Sequence, residues 1–305
     1  MEKSKADRIS LFQFFETFPD EKAAVKFVES KRWSRGRVCP HCGSSSTVEI
    51  KSKKPMPYRC KDCRKHFSVR TGTVLAESKL SIRKWVMAAY LMTSARKGIS
   101  SIQLAKELGV TQKTAWFLEH RIREAFTTRG GLLYAEVEVD ETYIGGKEKN
   151  KHASKKTRAG RGAVGKQPVI GIKERGGDVR AFPIGSTDRI SLRTKIVENV
   201  KRGATVYTDG HKGYKGTRGY SHEFVEHSVG EYVRGKAHTN GIESFWALLK
   251  RGYYGTYHHM SQKHLHRYVN EFSGRQNVGY DSFELLGAVF SGVVGRKLPW
   301  KVLTS

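Results

Sequence analysis

The sequence is poor in acidic residues and has no long apolar segment. Its 305 residues include 29 Asp and Glu against 56 Lys and Arg, so the formal net charge is +27. It contains no run of the roughly 20 apolar residues needed to span a bilayer, and its first residues have no apolar signal core. We therefore expect a cytosolic protein with a polyanionic partner, nucleic acid above all, and no membrane. A ribosomal or membrane-surface protein is the alternative.

Cysteine is also scarce, and all of it occurs in one short region. Two Cys-x-x-Cys pairs, Cys39/Cys42 and Cys60/Cys63, flank a segment with short strand patterns. This spacing predicts one structural Zn²⁺ held by four thiolates in a zinc ribbon. Two disulfides are the alternative, which a cytosolic location disfavours. We assign residues 37–78 to the ribbon and residues 1–36 to a helical lead-in.

Residues 79–130 have the pattern of a helix-turn-helix. Ser81 is a candidate N-cap for the first helix, Gly109 would end the second, and Thr111 would cap the third. The exposed start of the third helix would enter the major groove of DNA. An ordinary three-helix bundle is the alternative. The residues expected to contact DNA are Gln112, Lys113, Thr114 and Arg121.

Four of the acidic residues lie within six positions of one another, in the stretch 135–146. Valine alternates with acid up to Asp140, which predicts a strand with Glu136, Glu138 and Asp140 on one face and Glu141 on the other. A solvated edge strand would explain this pattern. The alternative is that one of the acids holds a catalytic metal ion.

The order of the following segments predicts an α/β domain over residues 131–305. Three strands, a helix, two more strands and a further helix match a ribonuclease-H-like domain with a mixed five-stranded sheet. Asp209 ends a short buried strand, a usual ligand position, although Asp-Gly is also a common turn. Glu243 falls in the first turn of a helix, where a carboxylate also complements the helix dipole. The overall expectation is a multidomain α+β protein.

Basic residues lie near these acids in the sequence. A loop at 147–167 is rich in Lys and Arg, and Lys250 lies two helical turns after Glu243 on the same face. His211 and His238 lie beside the acids and could orient water, although structural roles are expected more often. The residues expected to hold DNA phosphates are Lys155, Lys156, Arg158, Lys250 and Arg251.

The motifs together resemble the ISXO-like transposases of bacterial insertion sequences. The resemblance extends from about Phe15 to Asn277. It rests on the four-cysteine ribbon and on three blocks, which are Val139-Asp-Glu-Thr-Tyr-Ile-Gly-Gly146, Tyr207-Thr-Asp-Gly-His-Lys-Gly-Tyr214 and Asn240-Gly-Ile-Glu-Ser-Phe-Trp246. It implies a DDE triad of Asp140, Asp209 and Glu243 that holds two Mg²⁺ (or Mn²⁺) ions, because three adjacent carboxylates need cations to stay ionised.

The resemblance also implies an activity and partners. We expect a DNA transposase that binds element ends, cleaves at the 3′ end and transfers the strand into target DNA. The partners would be double-stranded DNA and a second copy of the chain, in a homodimer or larger assembly in the cytoplasm, at the bacterial nucleoid. A DNA-binding regulator derived from a transposase, or a nuclease of the same fold that cuts without joining, are the alternatives.

Overall fold

The structure is a computed structural model that divides into two compact units. Residues 1–95, 99–127 and 278–305 form unit 1, and residues 96–98 and 128–277 form unit 2. No helix within the described ranges is both long and apolar enough to cross a membrane. The ranges that the structure describes are 9–126, 130–146, 148–150, 152–156, 163–214, 216, 219–225, 238–279 and 283–305.

Unit 1 begins with two short helices and a small antiparallel sheet. Helices α1 (Leu11–Thr17) and α2 (Glu21–Arg32) are capped by Ser10 and Asp20, whose side chains accept backbone N–H groups. Strands β1 to β3 follow in that order in a three-stranded sheet, which is the predicted ribbon. The strands are β1 (Thr47–Glu49), β2 (Tyr58–Cys60) and β3 (His66–Phe67).

The three helices predicted for the next segment are confirmed. Helices α3 (Ile82–Ser94), α4 (Ser101–Leu108) and α5 (Gln112–Arg123) begin after Ser81, Ser100 and Thr111, each of which caps its helix. Gly109 ends α4 with a φ of 59°, a left-handed conformation that glycine adopts at little cost. The local signals in the sequence therefore place these three helices correctly.

Unit 2 is built on the mixed five-stranded sheet that the sequence predicted. The spatial order is β6-β5-β4-β7-β8, with β4 in the centre. Strand β4 is antiparallel to β5, β5 is antiparallel to β6, and β4, β7 and β8 run parallel. The strands are β4 (Glu136–Ile144), β5 (Gln167–Glu174), β6 (Val179–Pro183), β7 (Thr205–Asp209) and β8 (Ser221–Val225).

Helices cover both faces of this sheet. Helix α6 (Arg189–Asn199) packs through Leu192 and Ile196 on the face that carries Val137 and Val139. Helices α7 (Asn240–Gly252) and α8 (Leu265–Val278) share the other apolar core with β5 and β6. Gly171 of β5 lets α7 approach the strand closely, because a Cβ there would lie 2.5 Å from Trp246 and 2.6 Å from Ile242.

The C-terminal segment differs from the expectation that the catalytic domain runs to residue 305. Helices α9 (Phe283–Gly292) and α10 (Trp300–Thr304) belong to unit 1. The reason is hydrophobic: Leu286 and Phe290 of α9 are buried in the same core as Phe14 and Trp85. The chain therefore returns to its N-terminal unit after completing unit 2.

Candidate active site

Two acidic residues end up at the carboxyl edge of neighbouring parallel strands. The pairing of β4 with β7 runs from Glu136 and Thr205 to Glu138 and Tyr207. Asp140 and Asp209 each follow two residues beyond the last pair. Because the carboxyl ends of parallel strands meet at one edge, the two carboxylates come close together, which is what the resemblance to the transposases implies for them.

A third carboxylate joins them. Asp140, Glu141 and Asp209 each offer an oxygen atom, and these atoms all lie within 4.8 Å of one another. Consecutive strand residues point to opposite faces, so the sequence placed Glu141 away from Asp140. The sheet is open beyond the last β4–β7 pair, and there Asp140, Glu141 and Asp209 converge. We call these three residues the carboxylate cluster.

Hydrogen bonds hold each member of the carboxylate cluster. The indole Nε1 of Trp246 donates to Asp140 Oδ2 at 2.9 Å, and the Tyr214 hydroxyl donates to Glu141 Oε2 at 2.5 Å. The backbone N–H of His211 donates to Asp209 Oδ1 at 3.1 Å. These donors come from α7 and from the turn after β7, so elements on both faces of the sheet orient the site.

The electrostatics of the carboxylate cluster favour a bound cation. Burial, together with the charges of Glu141 and Asp209, raises the pKa of Asp140 to about 7. Burial and the charge of Asp209 also raise the pKa of Glu141, and burial beside Glu141 raises that of Tyr214 well above its ordinary value. Adjacent carboxylates resist ionisation together, and a divalent ion with oxygen ligands relieves that repulsion. The residues present therefore fit a divalent metal ion.

The structure does not bring Glu243 into the carboxylate cluster. It lies in the first turn of α7, exposed, and its Oε1 accepts a hydrogen bond from the Thr239 hydroxyl at 2.7 Å. Among the described residues, the acidic group that could hold a metal consists of Asp140, Glu141 and Asp209 only. The structure thus brings together two members of the predicted triad, while the third stands apart.

Glu138 has a position that sequence reasoning did not identify. Its side chain is buried, at 1% exposure, and its Oε2 accepts the backbone N–H of Ile242 at 2.9 Å. Thr239, the N-cap of α7, makes no capping bond of its own. Arg175 Nε donates to Glu138 Oε1 at 3.0 Å and also binds the carbonyl of His238. Glu138 therefore caps α7 from the neighbouring strand. The alternation of valine and acid, which places Glu138 on one face of the strand with Asp140, was the sequence signal that could have indicated this position.

Both predicted histidines lie near acids. His211 Nε2 is 4.0 Å from Glu141 Oε1, and its Nδ1 accepts the backbone N–H of Gly213. His238 Nδ1 is 3.4 Å from Glu138 Oε1. His211 therefore borders the carboxylate cluster, whereas His238 borders the cap of α7.

The four cysteines also meet. Their Sγ atoms all lie within 4.8 Å of one another, with 3.6 Å between Cys39 and Cys63 and 3.7 Å between Cys42 and Cys60. Zn–S bonds of about 2.3 Å in a tetrahedron require S–S distances of about 3.8 Å, so the group fits one Zn²⁺. All four cysteines are free, so the disulfide alternative is wrong.

The predicted DNA-contacting residues of α5 fall into two classes. Gln112 and Lys113 are exposed and Thr114 is half-buried at the start of the helix. Arg121 differs from the expectation: it is 8% exposed, it binds the carbonyl of Ala76, and its guanidinium lies 5.3 Å from the ring centre of Trp85. The last turns of α5 point inward, because they form part of the core of unit 1.

The predicted phosphate-holding residues of unit 2 are described only in part. Lys156 and Arg251 are exposed, and Lys250 is half-buried. Arg158, the side chain of Lys155 and much of the loop at 147–167 lie outside the described residues.

Comparisons with known proteins identify the family. The family described as ISXO2-like transposase domain matches residues 132–277, and the transposase zinc-ribbon domain matches residues 19–66. An uncharacterized protein in transposable element ISH50 of Halobacterium salinarum is 31% identical over 275 residues, which cover 86% of this chain and 92% of the relative. The crystal structure of the Mos1 strand transfer complex is similar at a TM-score of 0.29 and 13% identity, over 62% of this chain and 69% of that chain, a likeness too low to support a conclusion. The chain belongs to the ISXO2-like transposase family.

Proposed function

We propose that this transposase binds the ends of its element and carries out metal-dependent 3′-end cleavage and strand transfer into target DNA. The observation that carries the proposal is the carboxylate cluster at the carboxyl edge of β4 and β7, in a chain with a net charge of +27. A basic protein that concentrates acids at one sheet edge is suited to hold cations beside a polyanion.

The proposed metal ligands are Asp140 and Asp209, with Glu141 as a further ligand from the same edge. Glu243, in the first turn of α7, remains the proposed third member of the triad. The expected ions are Mg²⁺ or Mn²⁺, two per active site, because hard cations prefer carboxylate oxygens. Ions held there would activate the attacking oxygen and stabilise the leaving 3′ oxygen of the phosphodiester.

The protein's own groups prepare this site. Trp246 and Tyr214 each engage one oxygen of their carboxylate, which fixes the orientation of Asp140 and Glu141 before any ion binds. Lys250 and Arg251, in the last turn of α7, are proposed to hold the DNA backbone. Fixed ligands and nearby cations reduce the reorganisation needed to reach the transition state.

End recognition is assigned to unit 1. Gln112, Lys113 and Thr114 begin the second helix of the helix-turn-helix, the part that enters the major groove in this motif. One structural Zn²⁺ on the four cysteines would stabilise the ribbon, whose apolar core is small. Two element ends must be joined, so we propose a homodimer or larger assembly on DNA, with Lys155, Lys156 and Arg158 as further phosphate contacts.

Strand transfer in vitro tests the proposal. The zinc-loaded full chain is incubated with Mg²⁺, target plasmid and a labelled duplex that carries the inverted repeats flanking its gene. We expect Asp209→Asn to bind this duplex as tightly as the unsubstituted protein does and to form no joined product. If joining survives the substitution, the active-site assignment is wrong.

A matched pair of variants separates the two candidate third ligands. Glu141→Gln removes a carboxylate that lies in the cluster, and Glu243→Gln removes the one that lies outside it. The triad proposal expects the second variant to lose joining. If only the first loses it, Glu141 completes the ligand set. A regulator would bind the duplex without cleaving it, and a nuclease would cleave it with no joined product.

A further inference from the structure

A cavity of about 490 Å³ lies within unit 1, and its lining includes no residue of the carboxylate cluster and none of the four cysteines. The end of the ribbon, the linker to α3 and the segment before α10 surround it. Its volume lies in the range of about 300–1,000 Å³ that is usual for small-molecule sites. Its charged lining residues are Arg70, Arg121, Lys297 and Glu77.

Arg121 is the feature of this cavity that points to a ligand. The residue is 8% exposed, and one guanidinium N–H binds the carbonyl of Ala76. Its Nε–H has no hydrogen-bond partner among the described residues. The Nε atom is itself closed to solvent, so a ligand in the cavity would not reach it. The bond to Ala76 is the one hydrogen bond that the described residues make with this guanidinium, which leaves the N–H donors of Nη1 for an acceptor in the cavity.

The cavity also holds more cations than its acids neutralise. Arg70 donates to the carbonyl of Ser78 at 2.9 Å, and its closest approach to an acid is 4.0 Å, to Glu21. The Glu21 carboxylate already accepts two backbone N–H groups at the start of α3, at 2.7 and 2.8 Å. Lys297 is exposed at the rim. Among the described residues that line the cavity, Glu77 is the one acid, and Arg70, Arg121 and Lys297 are the three cations.

We propose that this cavity binds the phosphate of a nucleotide, either a free one or one within a DNA strand. Guanidinium forks match phosphate oxygens in pairs, which makes arginine well suited to this anion. Met56, Leu298 and Pro299 line the same cavity and give the nucleoside an apolar wall. The inference is independent of the proposed catalytic chemistry, because none of these residues belongs to the carboxylate cluster.

An indole signal provides a local test. Trp85 Nε1 donates to the hydroxyl of Ser78, a lining residue, at 3.1 Å. The zinc-loaded full chain is titrated with deoxyadenosine monophosphate at constant ionic strength, and the indole N–H resonances are followed by NMR. We expect the Trp85 resonance to shift while those of Trp33 and Trp246 stay in place. Deoxyadenosine without phosphate, and acetate, should leave all three unchanged.

A matched pair of lysine variants tests the cavity itself. Lys297→Gln removes a cation from the rim, and Lys301→Gln removes one from α10, outside the lining. Lys297→Gln should weaken the binding of deoxyadenosine monophosphate at least about fivefold, as expected for the loss of one hydrogen bond to a charged group. Lys301→Gln should leave it unchanged. Equal weakening in both variants, an equal response to acetate, or an unmoved Trp85 resonance would overturn the inference.

A tetradeoxynucleotide without terminal phosphates distinguishes the two sources. If the tetradeoxynucleotide shifts the Trp85 resonance and Lys297→Gln weakens its binding, the site takes a phosphodiester of a DNA strand. If only the mononucleotide does so, the site takes a free phosphomonoester. Both results support a phosphate site, whereas a Trp85 resonance that responds to neither ligand would overturn the proposal.

Discussion

Replacing Asp140 by Asn should stabilise the metal-free protein at neutral and higher pH. Burial, with the charges of Glu141 and Asp209, raises the pKa of Asp140 from 3.8 to about 7. Each pKa unit corresponds to about 1.36 kcal/mol, so the ionised carboxylate costs about 4 kcal/mol of folding free energy above pH 7. Asn has a similar size and keeps an oxygen that can accept from Trp246, yet it carries no charge.

The sign of the pH dependence follows from the direction of the shift. The folded state holds the Asp140 proton more tightly than the unfolded chain, so this group's stabilisation is complete below about pH 4 and is lost as pH rises towards 7. Asn does not titrate, so its contribution to stability does not depend on pH. The stability gained on substitution should therefore increase by about 2–3 kcal/mol between pH 5 and pH 8.

Calorimetric unfolding of the full chain at these two pH values measures the effect. Mg²⁺ is removed by dialysis, because a chelator would also strip the cysteine site. Glu223→Gln, which neutralises an exposed carboxylate on β8, is the control and should show no comparable gain. Saturating Mn²⁺, at about 100 times its dissociation constant, should add about 2.7 kcal/mol to the unsubstituted protein and little to Asp140→Asn. A gain that does not change with pH would refute the reasoning.

Three further predictions concern the fold around the two sites. Gly171→Ala should lower the free energy of unfolding by about 1–3 kcal/mol, because the added Cβ would press on Trp246. Gly185→Ala is the control and should not lower it, because the space at its Cβ is open. Equal denaturation midpoints for the two variants would contradict this prediction. Glu138→Gln should accelerate hydrogen exchange at the Ile242 amide, because it weakens the cap of α7, and unchanged protection there would argue against the cap. Chelation of zinc should change the fluorescence of Trp33, which packs edge-on against Tyr58, and added Zn²⁺ should restore it; a chelator-insensitive signal would speak against a metal-held ribbon.

Local patterns in the sequence were sufficient for the elements, whereas Asp140 and Asp209 were assigned to the site by the resemblance to the transposases. The cysteine spacing predicted the ribbon, and Ser81, Gly109 and Thr111 marked the helix-turn-helix, because caps and turns depend on residues a few positions apart. The period-two alternation that leads to Asp140 predicted β4, and the short strand ending at Asp209 predicted β7.

The tertiary structure decided what depends on neighbours that are distant in sequence. Glu141 keeps the face that the alternation assigns to it, where Tyr214 donates to its carboxylate, yet an oxygen of that carboxylate lies within 4.8 Å of oxygens of Asp140 and Asp209. Arg121 is buried because the core of unit 1 takes up the last turns of α5, and residues after 278 join that same core through α9. Glu138 was one acid among four in the sequence, and it became the cap of α7 only when the helix packed against the sheet. A sequence pattern sets which face a side chain takes on its own element, but packing decides what that face meets.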